Sequence, residues 1–304
     1  MKVSLLVLCF SALVLGGTER YRRTPYGWIH PDCVHQIPSG SNIEELPNGR
    51  TVVDYPDGVR RELPNCAHPY RLGDKGATPS PTAAPVPGPE VAHGWQAYTT
   101  YQYPKGMGQF LGTFTIPENP SAEPGILYIF TGLQNINWIP EPKNPPPSQP
   151  FDIIQPVLEY TGGSWTVASW YVTLEQGYVE STPIPVNAGQ SIYGNMTQLS
   201  SAGAWYIGST VTQTGKTTQV TITKHILVSQ PWAYTALEVY SVSNCKQYPD
   251  NSIDFTGMTI ADNNGKPLTP QWVTHIGQEP ACKEHAVVND PSSVTILFGN
   301  EGKA

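Results

Sequence analysis

Arginine is missing from the last three quarters of this chain: residues 76–304 carry eight lysines, no arginine and sixteen acidic residues. Charge of any kind is scarce, at 13% of 304 residues. A nucleic-acid partner needs clustered basic side chains to neutralise phosphates, and no cluster is present, so that class of function is excluded. Beyond the extreme N-terminus no apolar run is long enough to cross a bilayer. No Cys-x-x-Cys and no Gly-x-Ser-x-Gly turn occurs, and His93, His225, His275 and His285 stand at no ligand spacing. Zinc, dithiol and serine-hydrolase chemistry therefore have no motif here, and neither a metal nor a cofactor is expected. Sparse, mostly acidic charge suits low pH, where protonating carboxylates creates little positive self-repulsion.

What is present begins with a leader. In residues 1–17, Lys2 precedes an apolar stretch from Leu5 to Leu15, and Gly16 and Gly17 offer small residues near a cleavage point. This reads as a secretory signal, so the mature protein is expected to be secreted, free of the membrane and monomeric. Cys9 leaves with the signal. Cys33, Cys66, Cys245 and Cys282 remain, and four cysteines allow three pairings. Cys33–Cys66 with Cys245–Cys282 is the expected set, because each bridge then stays within one compositional region. An oxidising compartment fits.

Residues 18–75 read as a small N-terminal module or propeptide. Its clear hairpin is Arg50–Asp54, a Pro56-Asp57-Gly58 turn, and Val59–Leu63. Every arginine precedes the linker. Arg20, Arg22, Arg23, Arg60 and Arg61 could therefore pair with carboxylates of the larger domain at neutral pH and release them in acid. Residues 76–92 form a proline-rich linker. From 93 to 304, short runs rich in Val, Ile, Thr, Tyr and Trp recur between Gly, Pro and Asn, with no sustained helical periodicity. That pattern predicts an all-β, antiparallel two-sheet sandwich. Residues 137–150 hold too many prolines for a strand and read as a surface loop overhanging a groove. Asn195-Met-Thr197 is a glycosylation sequon.

Two polar residues interrupt apolar strand-like runs: Gln155 in Phe151–Tyr160 and Glu238 in Trp232–Tyr240. A carboxylate buried in a strand is costly unless paired or functional. Alternation puts Ile153, Gln155, Val157 and Glu159 on one face, and Tyr234, Ala236, Glu238 and Tyr240 together on another strand. An aromatic surround raises a carboxyl pKa, as general acid–base work requires. If both strands share a groove, Gln155 and Glu238 could hold one water between them. Pro156, directly after Gln155, demands a bulge or a break in the ladder.

Four features in order resemble the fungal glutamic peptidases (eqolisins). They are Ile153-Ile154-Gln155-Pro156-Val157-Leu158-Glu159, the Trp170-Tyr171 pair, Val186-Asn-Ala-Gly189-Gln-Ser-Ile192, and the strand bearing Glu238. The resemblance implies a concanavalin-like sandwich and acid-shifted endopeptidase activity without a metal. Carried over, Glu238 would be general base and then acid, and Gln155 would orient the water and stabilise the oxyanion. Glu159, Trp138, Trp170, Tyr234 and Tyr240 would contact a polypeptide substrate. Two rivals use the same strands. Glu159 with Glu238 could serve glycoside hydrolysis. A lectin-like module could instead bind glycan or extended peptide through its aromatics without catalysis.

Overall fold

The computed structural model describes residues 22–24, 27–67, 92–122, 125–139, 151–173, 177–200, 203–224, 229–250, 252–277 and 282–298. The leader at 1–17, residues 68–91 and the proline run at 140–150 lie outside them. The chain is all-β, as its residue pattern predicts. Among the described residues the helical pieces are two single 3-10 turns, Pro31–Cys33 and Cys245–Gln247, and no helix is long and apolar enough to cross a membrane.

Two large sheets face each other. The first, nine-stranded, runs in space Val273–Ile276, Ala92–Gln102, Trp232–Val242, Ile126–Gln134, Asp152–Thr161, Ser164–Thr173, Gly177–Ser181, Val34–Ile37, with Ile184–Val186 also on Ser164–Thr173. The second, eleven-stranded, has Met107–Thr115 and Ser191–Ser200 at its middle. Alternation along each strand sends one set of apolar side chains between the sheets. There Ile154, Leu158, Trp165, Trp205, Leu237 and Phe110 join one core. A buried hydroxyl chain crosses this layer: Ser169 Oγ lies 3.0 Å from Ser209 Oγ, and Thr218 Oγ1 donates to Ser181 Oγ at 2.7 Å.

The segment expected to be a module of its own instead completes both sheets. Val34–Ile37 pairs in parallel with Gly177–Ser181, and Ser41–Glu45 pairs in parallel with Thr217–Lys224. The expected hairpin, Thr51–Asp54 with Arg60–Leu63, extends the second sheet further. So short a stretch cannot bury a core alone, and Ile37, Ile43, Val53 and Leu63 enter the common one. The bridges are Cys33–Cys66 and Cys245–Cys282, with Cα atoms 4.9 and 5.4 Å apart.

Pro156 sits mid-strand without ending it. Pairing with Ile126–Gln134 skips Gln155 and Pro156, passing from Ile154↔Leu133 to Val157↔Phe130. The ring fills a gap left by Gly194 on the opposing sheet, where a Cβ would meet Pro156 Cγ at 2.7 Å. Gly194→Ala should therefore lower unfolding free energy by about 1–3 kcal/mol, the usual penalty of overpacking. Pro156→Ala added to it should recover part of the loss. Urea denaturation reads both, and an unchanged midpoint for Gly194→Ala would contradict this packing.

Candidate active site

The face of the first sheet turned away from the common core carries a second, aromatic cluster that includes Trp95, Tyr128, Phe130, Trp170, Tyr234 and Tyr240. Gln155 and Glu238 both belong to this face, and both have 0% of their surface exposed. It is not an open groove. Trp138 and Tyr178 are each 4% exposed, and Ile29 and Cys33 of the N-terminal segment pack in the same cluster. Trp138 heads the expected overhanging loop and lies against Phe151, ring centres 5.0 Å apart. Gln134 Nε2 fixes it by donating to Trp138 O at 2.9 Å.

Gln155 is engaged by Tyr234. Its Nε2 donates to the Tyr234 hydroxyl at 3.1 Å. The intervening strand makes this possible through Gly132, which stands level with Gln155 in the flanking register and directly opposite Tyr234. A Cβ at Gly132 would lie 2.3 Å from the Tyr234 ring, so the ring occupies the space a side chain would need. Gln155 Oε1 has no hydrogen-bond partner among the described residues.

Glu238 is engaged by Tyr240, whose hydroxyl donates to Glu238 Oε1. Burial holds the carboxyl well above the usual carboxylate range. The hydroxyl of Tyr240, and more weakly the indole of Trp95, pull the other way. The Trp95 N–H falls short of hydrogen-bond geometry, so Trp95 Nε1 and Glu238 Oε2 both stand without a partner among the described residues. The ladder to Ala92–Gln102 breaks register on both sides of this point, between Leu237 and Glu238 and between Val239 and Val242. Ser241 adopts φ 56°, the left-handed region that a serine rarely enters. Bulges and strained backbone of this kind gather where a side chain must be re-aimed.

The register separates the expected catalytic pair. Glu238 is level with Tyr128, and Tyr128 with Glu159. Gln155 lies four residues from that row, about 13 Å along the strand and roughly 10 Å across two strand spacings. One water spans about 6 Å between the atoms it bridges, so Gln155 and Glu238 do not share one. Glu159, half-buried, is the polar residue that shares the row of Glu238. Tyr240 flanks Glu238 as the alternation predicts, while Tyr234 belongs to Gln155 instead. Trp170, paired directly with Gln155, packs edge-on to Tyr178 and Tyr128 at 4.2 and 5.5 Å.

The expected arginine contacts also differ. Arg60 binds Glu44 and Asp54 at 2.8 Å, Arg50 binds Glu62, and Arg61 lies 5.4 Å over the Tyr55 ring. All are pairs within the N-terminal hairpins, because cross-strand partners there are closer than any carboxyl of the aromatic face. Arg20 and the side chains of Arg22 and Arg23 lie outside the described residues. Asn195 is remote from the site, on the second sheet between Leu111 and Gly208, with Thr197 Oγ1 donating to its Oδ1 at 2.6 Å. Among the described residues no group of three or more His, Cys, Asp or Glu is arranged to hold a metal ion.

Residue-by-residue reading of the sequence passes over Gly132, Trp95 and Tyr128. Gly132 carries a signal in retrospect: a lone glycine inside an apolar strand marks a close approach. The broken register that aims Glu238 at Trp95 and Tyr240 carries none.

The raised pKa of Glu238 has a consequence for stability. Folded Glu238 keeps its proton above pH 4.5, where the unfolded chain has released it. Its contribution is therefore full below that pH and is lost as pH rises towards the folded value. Glu238→Gln stays neutral throughout, so its melting temperature should gain on wild type as pH rises above 4.5. Parallel melting curves across that range would show that Glu238 does not titrate this way.

No protein-family model and no curated protein matches the sequence. Among solved structures, the chain is similar to scytalido-glutamic peptidase with a transition state analog inhibitor, at 12% identity and TM-score 0.49, over 68% of this chain and 98% of that one. It is also similar to SCP-B, a member of the eqolisin family of peptidases in a complex with the tripeptide Ala-Ile-His, at 14% identity and TM-score 0.46, over 68% and 98% of the two chains. A third likeness, to the CBM2 module of Lactobacillus casei BL23 phage J-1 evolved Dit, has 10% identity and TM-score 0.32, over 52% and 68%. These likenesses are distant and assign no residue roles to this chain.

Proposed function

We propose that this chain is an exported, acid-acting hydrolase of polypeptides whose proton-transfer groups are Glu238 and Glu159. The supporting observation is their common row across the Ile126–Gln134 strand, level with Tyr128, while Gln155 lies four residues away. Two strand spacings separate the Glu238 and Glu159 backbones, roughly 10 Å. A water and a scissile bond would lie between the two carboxyls, over Tyr128, which stands between them in the register. Their environments differ, which is how one carboxyl keeps a proton while the other accepts one. Glu238 is sealed and holds its proton; Glu159 is half-buried.

In this reading Glu159 takes a proton from water as its oxygen attacks the carbonyl carbon. Glu238 gives its proton to the leaving nitrogen as the C–N bond breaks. A substrate must part the cover over Glu238 before this step, and exchange with solvent through that opening then resets both carboxyls. Tyr240, donating to Glu238 Oε1, holds the acid in place and leaves Oε2 free to carry the proton. The two disulfides support export. Polypeptide is favoured over glycan because the aromatic rings pack edge to face. Trp95 meets Tyr98 at 81° and Phe130 at 69°, and Trp170 meets Tyr178 at 68°. Such rings offer no flat platform to a sugar.

A second reading, a peptide-binding sandwich without catalysis, draws on the complete burial of Glu238. Hydrolysis of denatured protein near pH 4 separates the two. Glu238→Gln and Glu159→Gln should each cost about 100-fold or more in kcat, the usual worth of a general acid or base. Activity lost in Gln155→Met but kept in Glu159→Gln would return the chemistry to the amide–carboxyl pair. Peptide binding without cleavage in wild type would establish the second reading.

A further inference from the structure

We infer that Gln155 and Trp170 form a separate subsite on this face that takes the main-chain N–H and C=O of one residue of an extended polypeptide, about four residues from the bond at Glu238. The inference rests on the reading that a polypeptide occupies the face. Its own evidence lies in two polar atoms. Gln155 Oε1 is an acceptor and Trp170 Nε1 a donor; their residues are 0% and 1% exposed, and neither atom has a hydrogen-bond partner among the described residues. The two residues are directly paired across adjacent strands.

Each orphaned atom costs the ligand-free fold a lost hydrogen bond with water, so an apolar residue of like shape would be the more stable choice. What satisfies both at once is a group offering one N–H and one C=O to the same side, as the two main-chain groups of a single residue in an extended chain do. The spacing agrees. The row of Glu238 repeats the pairing of a polar side chain with an indole, although there the Trp95 indole is turned towards the Glu238 carboxyl. Four residues of sheet separate the rows, and an extended peptide rises by a similar amount per residue, about 3.3 Å. The row between them is apolar, with Val157, Phe130 and Ala236 in register. A chain lying along the strands would thus meet a polar pair, an apolar floor and a second polar pair.

Tyr234 shapes this subsite. By accepting from Gln155 Nε2 across Gly132, its hydroxyl fixes which end of the amide faces away from the sheet. Gln155 therefore presents its oxygen, the acceptor a peptide N–H needs. Ile29 and Cys33 pack in the cluster that includes Trp170, so an incoming chain must part that cover.

Binding is tested in the full chain carrying Glu238→Gln, so that no cleavage confuses the reading. The probe is fluorescein-labelled oxidised insulin B chain, followed by anisotropy near pH 4. Adding Trp170→Phe keeps an aromatic ring but removes the N–H together with part of the buried indole, and it should weaken binding about five-fold or more, at least one hydrogen bond's worth. Gln155→Met should weaken it at least as much. Trp170→Phe should melt lower than its parent because the smaller ring leaves a cavity in a buried layer, so Gln155→Met, closer in volume, carries the test alongside it. Unchanged affinity in both variants, with binding intact in the parent, overturns the subsite and leaves the polypeptide reading standing. A lower melting temperature for Trp170→Phe at unchanged affinity marks a structural role and overturns it too. No binding of the B chain to any variant, or binding of cellohexaose instead, overturns both.

Discussion

A carboxyl sealed into an aromatic layer with a single hydroxyl donor is the condition on which the rest of this site depends. Burial of Glu238 keeps the proton on the side chain, and Tyr240 supplies a hydrogen bond that orients it, with the Trp95 indole acting more weakly. A purely structural position would be filled better by an apolar residue, because an unpaired polar atom in a dry layer costs more than it returns. The backbone is bent to make the arrangement. Register breaks on both sides of Glu238 and the left-handed Ser241 turn the strand end, so that Tyr240 and Trp95 close on the carboxyl.

The central strand of the first sheet acts as a ruler. Ile126–Gln134 pairs with the strands of both Gln155 and Glu238, and its residues fix which side chains can meet. At Gly132 there is no side chain, and Tyr234 lies over the gap to reach Gln155. Tyr128, four residues from Gly132 on the same face, sets Glu159 and Glu238 level. An amide–carboxyl pair sharing one water is thus not assembled, because the Tyr234 ring already spans the place opposite Gln155.

How much of this is legible in the sequence follows from which forces are local. Alternation is local, and it assigns the faces of Ile153, Val157, Tyr234 and Ala236 as found. The cysteine pairing follows composition. Pro156 announces a break in the ladder, and the pairing does skip it. Register between strands that are distant in sequence is not local. It is set by Gly194 receiving the Pro156 ring, by Gly132 admitting Tyr234 and by two bulges, none of which has a pattern of its own. The N-terminal segment misleads for a related reason. Its hairpin is plain, but the parallel pairings that join it to both sheet edges depend on surfaces formed elsewhere.

The segment's docking has a mechanical meaning. It pairs at the edge beyond Gly177–Ser181, donates Gln36 Nε2 to Glu180 Oε1 at 3.0 Å, and places Ile29 and Cys33 against the aromatic face. The segment therefore covers the end of the aromatic face beside Gly177–Ser181, while burial is what holds the proton on Glu238. The most direct measurement is an infrared titration of the carboxyl stretch, wild type minus Glu238→Gln. A protonated carboxyl band persisting well above pH 4.5 is the expected result. A band that vanishes near pH 4.5, the ordinary value for this side chain, would contradict the sealed acid and the chemistry built on it.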